Sequence, residues 1–348
     1  MMKYMSEIAL AVFMLIAVPL SGAYGMKAPS KVEQTGKHLI VIAAPSIADA
    51  MQDRDYAAIF NDIIEFDIAY ANAVYGHDYV RILVDKQTRK YFTGKVPESV
   101  LVTAYVPHIW MRDFTTINPY APVQFRYTAA SFEGDFEVAD EIQSGFNAAG
   151  KKLNFSFPRT DLVLDGGNIV DNYTGRVITT ERFLEDNDLT YIEGKALLRD
   201  LLNVKEVAIL PPDDPHLAHS DGMVMFASEN TLILNRYEEP MRSSIIGELR
   251  ASFPEIEIVE IEPVWDTVDE TSACGINVNA TVTEQYIYMP HFDDPASDEA
   301  LKLIQRKTDK KVIPVPANTI CKLGGSVRCL TWQLSAKQGK FLLDATSK

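Results

Sequence analysis

Cys329 stands in GGSVRCLTWQ, residues 324–333, behind a glycine pair and among small and β-branched residues. A thiol attacks as its thiolate, and an imidazole can hold that thiolate as an ion pair or carry protons to a leaving group. His219, in HSDGMVMF at 219–226, is the candidate partner. Asp221 follows it by two residues, and Asp113 lies in HIWMRDFTTINP at 108–119. Two carboxylates facing a nucleophilic sulfur suit a planar cation better than a neutral or anionic carbonyl. A guanidinium fits, because its fixed fork of donors takes carboxylates bidentately and turns its central carbon to the sulfur. Strand alternation places Val327, Cys329 and Thr331 on one inward face with Arg328 outward, and gives His219 and Asp221 a shared face. The plain alternative for Cys329 is a buried core cysteine. HLAH beside Asp213 and Asp214 also allows a metal reading, with His216, His219 and Asp221 as ligands, although no HExxH-type spacing accompanies it.

Residues so far apart in sequence need elements that deliver them to one place. Apolar, β-branched runs bounded by turn residues predict strands at 38–45, 79–84, 175–180, 206–211, 231–237, 256–263, 285–290 and 311–316. Helical segments lie between them. One places Ile59, Ile63, Phe66 and Tyr70 on a single face, and SDEALKLIQRKT opens with Ser297 as an expected N-cap. GRVITTERF, NTLILNRY and EQYIYMPHF look alike, and aligning Ile178, Ile233 and Ile287 gives intervals of 55 and 54 residues (233 − 178 and 287 − 233). The repeating unit is strand, strand, helix, strand. Such a unit cannot bury its own apolar face, so several must assemble around a shared axis. That assembly gathers LDGGNIVD (164–171), HSDGMVMF, NVNATVT (277–283) and GGSVRCLT (324–331) at the openings of successive hairpins.

The chain has 348 residues, 47% of them apolar, which is ample for a globular core. Its 48 acidic residues outweigh 33 basic ones, for a net charge of −15 with no block of like charge. That surface repels nucleic acid and favours small cationic partners. Residues 1–25 read as an export signal: Lys3, then the apolar run IALAVFMLIAVPL, too short for a comfortable membrane span, then the small residues of SGAYG. The expectation is an exported protein, periplasmic or secreted. Of the cysteines Cys274, Cys321 and Cys329, the first two can pair in an exported chain, leaving one thiol over.

WMRD, DGGNIVDNYTGRVITTERFLEDN, HSDGMV, NVNA and GGSVRCLTWQ, in this order, resemble the agmatine deiminase and Porphyromonas-type peptidylarginine deiminase family. The resemblance runs from WMRD to near the end of the chain. It implies an α/β pentein fold, a five-fold pseudosymmetric propeller of ββαβ units, as a single catalytic domain over 26–348. It implies Cys329 as nucleophile, His219 as general acid and base, and Asp113 and Asp221 as the pair gripping a guanidinium. Asn279 falls beside the cysteine, Asp165 contributes to substrate binding, and Trp110 and Arg112 support the substrate site. The implied reaction is hydrolytic deimination through a Cys-bound thiouronium, with no cofactor and no metal. The expected partner is a small cationic guanidino compound or an arginine-containing peptide. No nucleic acid and no stable membrane association after signal removal are expected, and a homo-oligomer is allowed. Two positions depart from the family pattern. Thr115 and Thr116 follow Phe114 where a glycine and proline are common, and Arg328 precedes the cysteine where histidine is frequent. Arg328 either acts on the thiol, binds a substrate carboxylate, or points outward. Arg126, in VQFRY, reads as a surface arginine, with a substrate carboxylate as its alternative partner. The rival functions are amidino transfer to an amine, a metallohydrolase, and a non-catalytic pentein, which would lose the cysteine and histidine this chain keeps.

Overall fold

The computed structural model describes residues 36–52, 54–128, 135–215, 217–264 and 272–345, so the expected signal at 1–25 and the histidine at 216 lie outside the described residues. The described residues belong to one compact unit, Glu33–Lys348. The strand, strand, helix, strand order is present three times in succession. Val170–Asp171 pairs antiparallel with Arg176–Thr180, and the helix Tyr191–Leu202 crosses over to a parallel partner, Glu206–Leu210. Val224–Phe226, Thr231–Asn235, the helix Met241–Ser252 and Glu257–Ile261 repeat this, as do Thr281–Val282, Tyr286–His291, the helix Pro295–Arg306 and Lys311–Pro316. A fourth sheet takes its first strand from the far end of the chain. Trp332–Ser335 runs antiparallel to His38–Ala43, which continues through the helix Arg54–Val74 to the parallel strand Tyr79–Val84, with Leu101–Thr103 beyond it. In the fifth, Gln124–Arg126 and Arg159–Val163 pair in parallel around the helix Phe136–Leu153, and a single antiparallel bridge, Ile117 to Val123, stands for the first strand.

Local chemistry sets the helix ends. Thr190 and Glu193 form a capping box, each side chain bonded to the other's backbone N–H, and Asn203 closes that helix in the left-handed region at φ 52°. Asp294, not Ser297, caps the helix Pro295–Arg306. Proline at the first helical position has no N–H to satisfy, and the Asp294 carboxylate accepts from Ser297 N at 2.8 Å. Ser297 is buried instead, its hydroxyl bonded to Asn277 Nδ2 and Phe292 N.

The central strands are buried on both faces, which is why they read as continuous apolar runs. Leu39, Val41 and Ala43 join Trp332, Phe114, Tyr127 and the helix Phe136–Leu153, whereas Ile40 and Ile42 join Tyr288, Ile313 and the helix Arg54–Val74. Phe125 and Leu164 meet Val177 and Ile209, Ile178 and Leu210 meet Leu232 and Leu234, and Ile233 meets Ile287 and Val312. Four of the sheets therefore share apolar layers directly, and the fifth reaches the strand His38–Ala43 through its helix Phe136–Leu153. This settles the repeat more finely than the sequence does. Ile178 and Ile233 both face the following unit, but Ile287 faces back into the layer that holds Ile233. Tyr288 takes the forward direction, so the second interval is also 55 residues (288 − 233). A slip of one residue moves a strand side chain to the opposite face.

Trp332 joins the last strand to this core. It is fully buried, meets Phe146 edge to face at 5.1 Å, and donates its indole N–H to Thr116 Oγ1 at 2.8 Å. Trp332→Ala is expected to destabilise the fold by about 3–5 kcal/mol, the usual effect of emptying a large aromatic site. A urea titration followed by circular dichroism checks it, and an unchanged midpoint would contradict the assignment.

Candidate active site

The hairpin openings are tight turns, not strand ends. Asp165 precedes the 3-10 turn Gly166–Asn168, His219 precedes the 3-10 turn Ser220–Gly222, Asp113 lies in the short helix Met111–Phe114, and Cys329 lies in a turn over 327–330. These turns lock together through backbone contacts. Arg112 N donates to Cys329 O at 3.0 Å, Gly167 N donates to Asp113 Oδ1 at 3.0 Å, and Asn168 Oδ1 accepts from both Thr180 N and Ser220 N. Glycine is required here by contact: a Cβ on Gly167 would stand 2.4 Å from His219 Nδ1, and one on Gly166 would stand 2.0 Å from Arg112 O. On Gly325 it would lie 2.6 Å from the Trp110 ring.

Asn279 organises the cysteine turn. Its Oδ1 accepts from Ser326 Oγ at 3.0 Å and Arg328 N at 3.2 Å, and its Nδ2 donates to Cys329 Sγ at 3.1 Å. An amide donor on the sulfur favours the charged thiolate. Burial nonetheless pushes the Cys329 thiol well above its ordinary range, and the carboxylates of Asp221 and Asp113 push it the same way. The sulfur is partly accessible and belongs to the one free cysteine among the described residues.

His219 sits between two acids, with Nε2 3.3 Å from Asp165 Oδ2 and Nδ1 3.9 Å from Asp113 Oδ1. Burial lowers its pKa, but Asp113 and Asp165 outweigh burial and lift it to about 9. The ring is an imidazolium at neutral pH. Asp113 is pushed up to about 7, because burial and the neighbouring carboxylates of Asp165 and Asp221 overcome the imidazolium. Asp165 is anchored by Thr128, whose backbone N–H and hydroxyl donate to its two oxygens at 2.8 and 2.7 Å. That geometry makes Asp165 the group that orients His219. Asp221 is 1% exposed; its Oδ2 has no hydrogen-bond partner, although Arg328 Nε lies 3.5 Å away.

The structure thus brings Cys329, His219, Asp113, Asp221, Asp165, Asn279, Trp110 and Arg112 into one set of interlocked turns. It also corrects three local expectations. His219 and Asp221 do not share a strand face: the 3-10 turn sends His219 to Asp113 and Asp165 and Asp221 to Arg328. Cys329 precedes the strand Trp332–Ser335 rather than lying in it, so alternation does not apply. Arg328 accordingly points inward, 4% exposed, donating Nη2 to Ile169 O at 2.7 Å beside Asp221, Asp171 and Tyr173. Arg126 is exposed, stacked on Phe136 at 4.6 Å and 3.7 Å from Asp140, as a surface arginine should be. Of the three residues in the metal reading, His216 is outside the described residues. Thr128, Asn168 and Ser326 were not singled out from sequence. DGGN carried a signal for Asn168, since close-packed glycines mark a crowded turn.

Solved deiminase structures share this fold. The chain superposes on the agmatine deiminase of C. jejuni with a TM-score of 0.70, at 16% identity over 87% of this chain and 94% of that one. For the agmatine deiminase of Enterococcus faecalis the TM-score is 0.69, at 18% identity over 86% and 93%. The chain belongs to the Porphyromonas-type peptidyl-arginine deiminase family, whose pattern matches residues 32–335. It is 27% identical over 213 residues to the agmatine deiminase of Pseudomonas aeruginosa (strain UCBPP-PA14), a stretch covering 51% of this chain and 58% of that relative. The matched stretch thus spans less than two thirds of that relative's length.

Cys274 and Cys321 form a disulfide. Its position relative to the site is specific: Cys274 is five residues before Asn279 and Cys321 is eight before Cys329. The bond ties together the two loops that meet at the sulfur, and Ala273 N donates to Cys321 O alongside it. A Cys274→Ser, Cys321→Ser variant is expected to alkylate at Cys329 about tenfold faster with iodoacetamide, because local opening of the turn exposes the thiol. Mass spectrometry of the labelled peptide reads the rate; equal rates would show that the disulfide does not hold the turn.

Proposed function

We propose that this protein hydrolyses a guanidino group to a ureido group and ammonia, with Cys329 as nucleophile. The observation that carries the reading is the convergence of two carboxylates, Asp113 and the hydrogen-bond-deficient Asp221, on a thiol they hold in its neutral form. Left alone, this environment is a poor one for a cysteine nucleophile. A guanidinium between the two acids reverses the local field, so the thiol loses its proton to solvent and the thiolate forms only with the substrate in place. Cys329 Sγ then bonds to the guanidinium carbon, and imidazolium His219 delivers its proton to the departing nitrogen, which leaves as ammonia. The resulting S-alkylthiouronium keeps its positive charge against Asp113 and Asp221. Neutral His219 takes a proton from water, the hydroxide adds to the same carbon, and the C–S bond breaks as the new hydroxyl's proton passes to the sulfur, which restores the thiol and releases the ureido product. Asp165 keeps the imidazole oriented throughout. No step in this sequence calls for a cofactor or metal.

The substrate class in this reading is a small guanidino compound or an arginine-containing peptide. Agmatine deiminases among the relatives support the first, and the family description supports the second. We further propose a five-fold pseudosymmetric propeller, supported by five sheets whose strands and helices pack into shared apolar layers, and a single catalytic domain over 26–348. The proposal of export rests on the apolar leader and gains support from the Cys274–Cys321 disulfide, a bond that persists in oxidising compartments.

Ammonia and ureido product should be released by purified protein from at least one of agmatine, free arginine and a C-terminal-arginine peptide, with Cys329→Ala inactive. Product that forms only when an added amine is present would indicate amidino transfer instead, and turnover by Cys329→Ala would remove the nucleophile assignment. The cationic reagent 2-chloroacetamidine should inactivate the enzyme at least about tenfold faster than its neutral isostere 2-chloroacetamide, because only the cation offsets the two carboxylates. Asp113 must be ionised to hold the guanidinium and His219 must be protonated to release ammonia. The profile of kcat/KM against pH should therefore rise through about 7 and fall beyond about 9. A flat profile between pH 6 and 10 would contradict these roles.

A further inference from the structure

A cavity of about 370 Å³ opens away from the catalytic turns, walled by Tyr120, Asp171, Tyr173, Glu229, Glu284 and Lys310 among others. Its position follows from the topology. The short strands Val170–Asp171, Val224–Phe226 and Thr281–Val282 each leave a turn of the active site, and their far ends lead to Asp171, Glu229 and Glu284. None of the catalytic residues lines the cavity.

The chemistry of the wall is selective. Tyr120 and Tyr173 meet at 5.9 Å and 71°, and both rings rest on His38, at 5.4 and 5.8 Å. The Tyr120 hydroxyl donates to Glu284 Oε1 at 2.7 Å. Burial and then Lys310 lower the His38 pKa to about 3, so that ring contributes no charge. Lys310 is the one basic side chain in the wall, and its ammonium is committed to the carbonyls of Thr283 and Glu284 at 2.6 and 2.7 Å. Of the three carboxylates in the wall, Asp171 is already drawn on by Arg328 and Arg112 and bonded to Tyr173, which leaves Glu229 and Glu284 for a ligand. Aromatic faces beside carboxylates attract a cation through ring quadrupole and charge together. The net charge of −15 raises the local concentration of such ligands.

We propose that this cavity is a second binding site, distinct from the catalytic one, for a small aliphatic primary ammonium ion. Its volume falls at the lower end of the range for small-molecule sites, which suits an alkylamine or a short diamine. The ammonium would donate to the carboxylates of Glu284 and Glu229, with its alkyl chain against the tyrosine rings.

Isothermal titration calorimetry with 1-aminobutane and 1,4-diaminobutane tests this on the full chain, with 1-butanol as the uncharged control. The expected result is binding of both amines and not of the alcohol, weakened tenfold or more in Glu229→Gln, Glu284→Gln, and left within twofold in Asp113→Asn. Glu229 is exposed, so Glu229→Gln alone cannot disturb the fold and should still weaken binding measurably. Four results would each overturn the proposal: no binding of either amine at 10 mM, equal binding of 1-butanol, equal affinity in the glutamate variants, or a loss in Asp113→Asn as large as theirs. The last would place the amine in the catalytic site.

Discussion

Three carboxylates, Asp113, Asp165 and Asp221, are held out of water around one imidazole and one thiol, and the rest of the structure answers that constraint. Buried carboxylates are costly unless they are paired or hydrogen-bonded. Asp165 is satisfied by Thr128 and His219, and Asp113 by the Gly167 amide. Asp221 Oδ2 has no hydrogen bond, and the edge of the Arg328 guanidinium lies 3.5 Å from it. The inequality between these partners is informative. The fold neutralises what it needs for orientation and leaves underserved the acid that faces the sulfur, so the ligand completes the electrostatics that the protein leaves unfinished.

Arg328 and Arg112 carry the other half of this balance. They lie behind the cysteine turn, where burial and mutual repulsion lower the Arg112 pKa, while Tyr173, Asp221 and Asp171 more than offset burial at Arg328. Asp171 is pushed up to about 6 by burial against the pull of both arginines. The charges thus alternate away from the sulfur: acids beside it, the cations Arg112 and Arg328 behind them, and an acid again at Asp171. An Arg328 side chain pointing to solvent would have removed the largest countercharge acting on Asp221.

Much of this was legible in sequence where one physical rule dominated. The hydrophobic runs gave the strands, and the thiol, imidazole and carboxylates with their repeated settings gave the site. What escaped lay where two rules compete. Alternation predicted strand faces for Cys329, Arg328, His219 and Asp221, but glycines and an asparagine hub turn the backbone there, and a turn has no two-residue period. Ile287 matched Ile178 and Ile233 by type, yet both faces of its strand are apolar, so composition could not reveal the slip of one residue. Ser297 follows a better cap, Asp294, because Pro295 moves the helix start forward.

The pairing of Trp332–Ser335 with His38–Ala43 joins residues 297 positions apart (335 − 38). Cys329 is three residues from that last strand, so the proposed nucleophile is the last member of the site to leave the ribosome. Every earlier member can be in place while the sulfur is still absent, and the sheet that anchors it stays open at one edge until the final strand docks. Pairing across such a separation is slow. The chain therefore carries its own delay: under the proposed function it acquires its reactive atom only as its last strand becomes available to close the sheet.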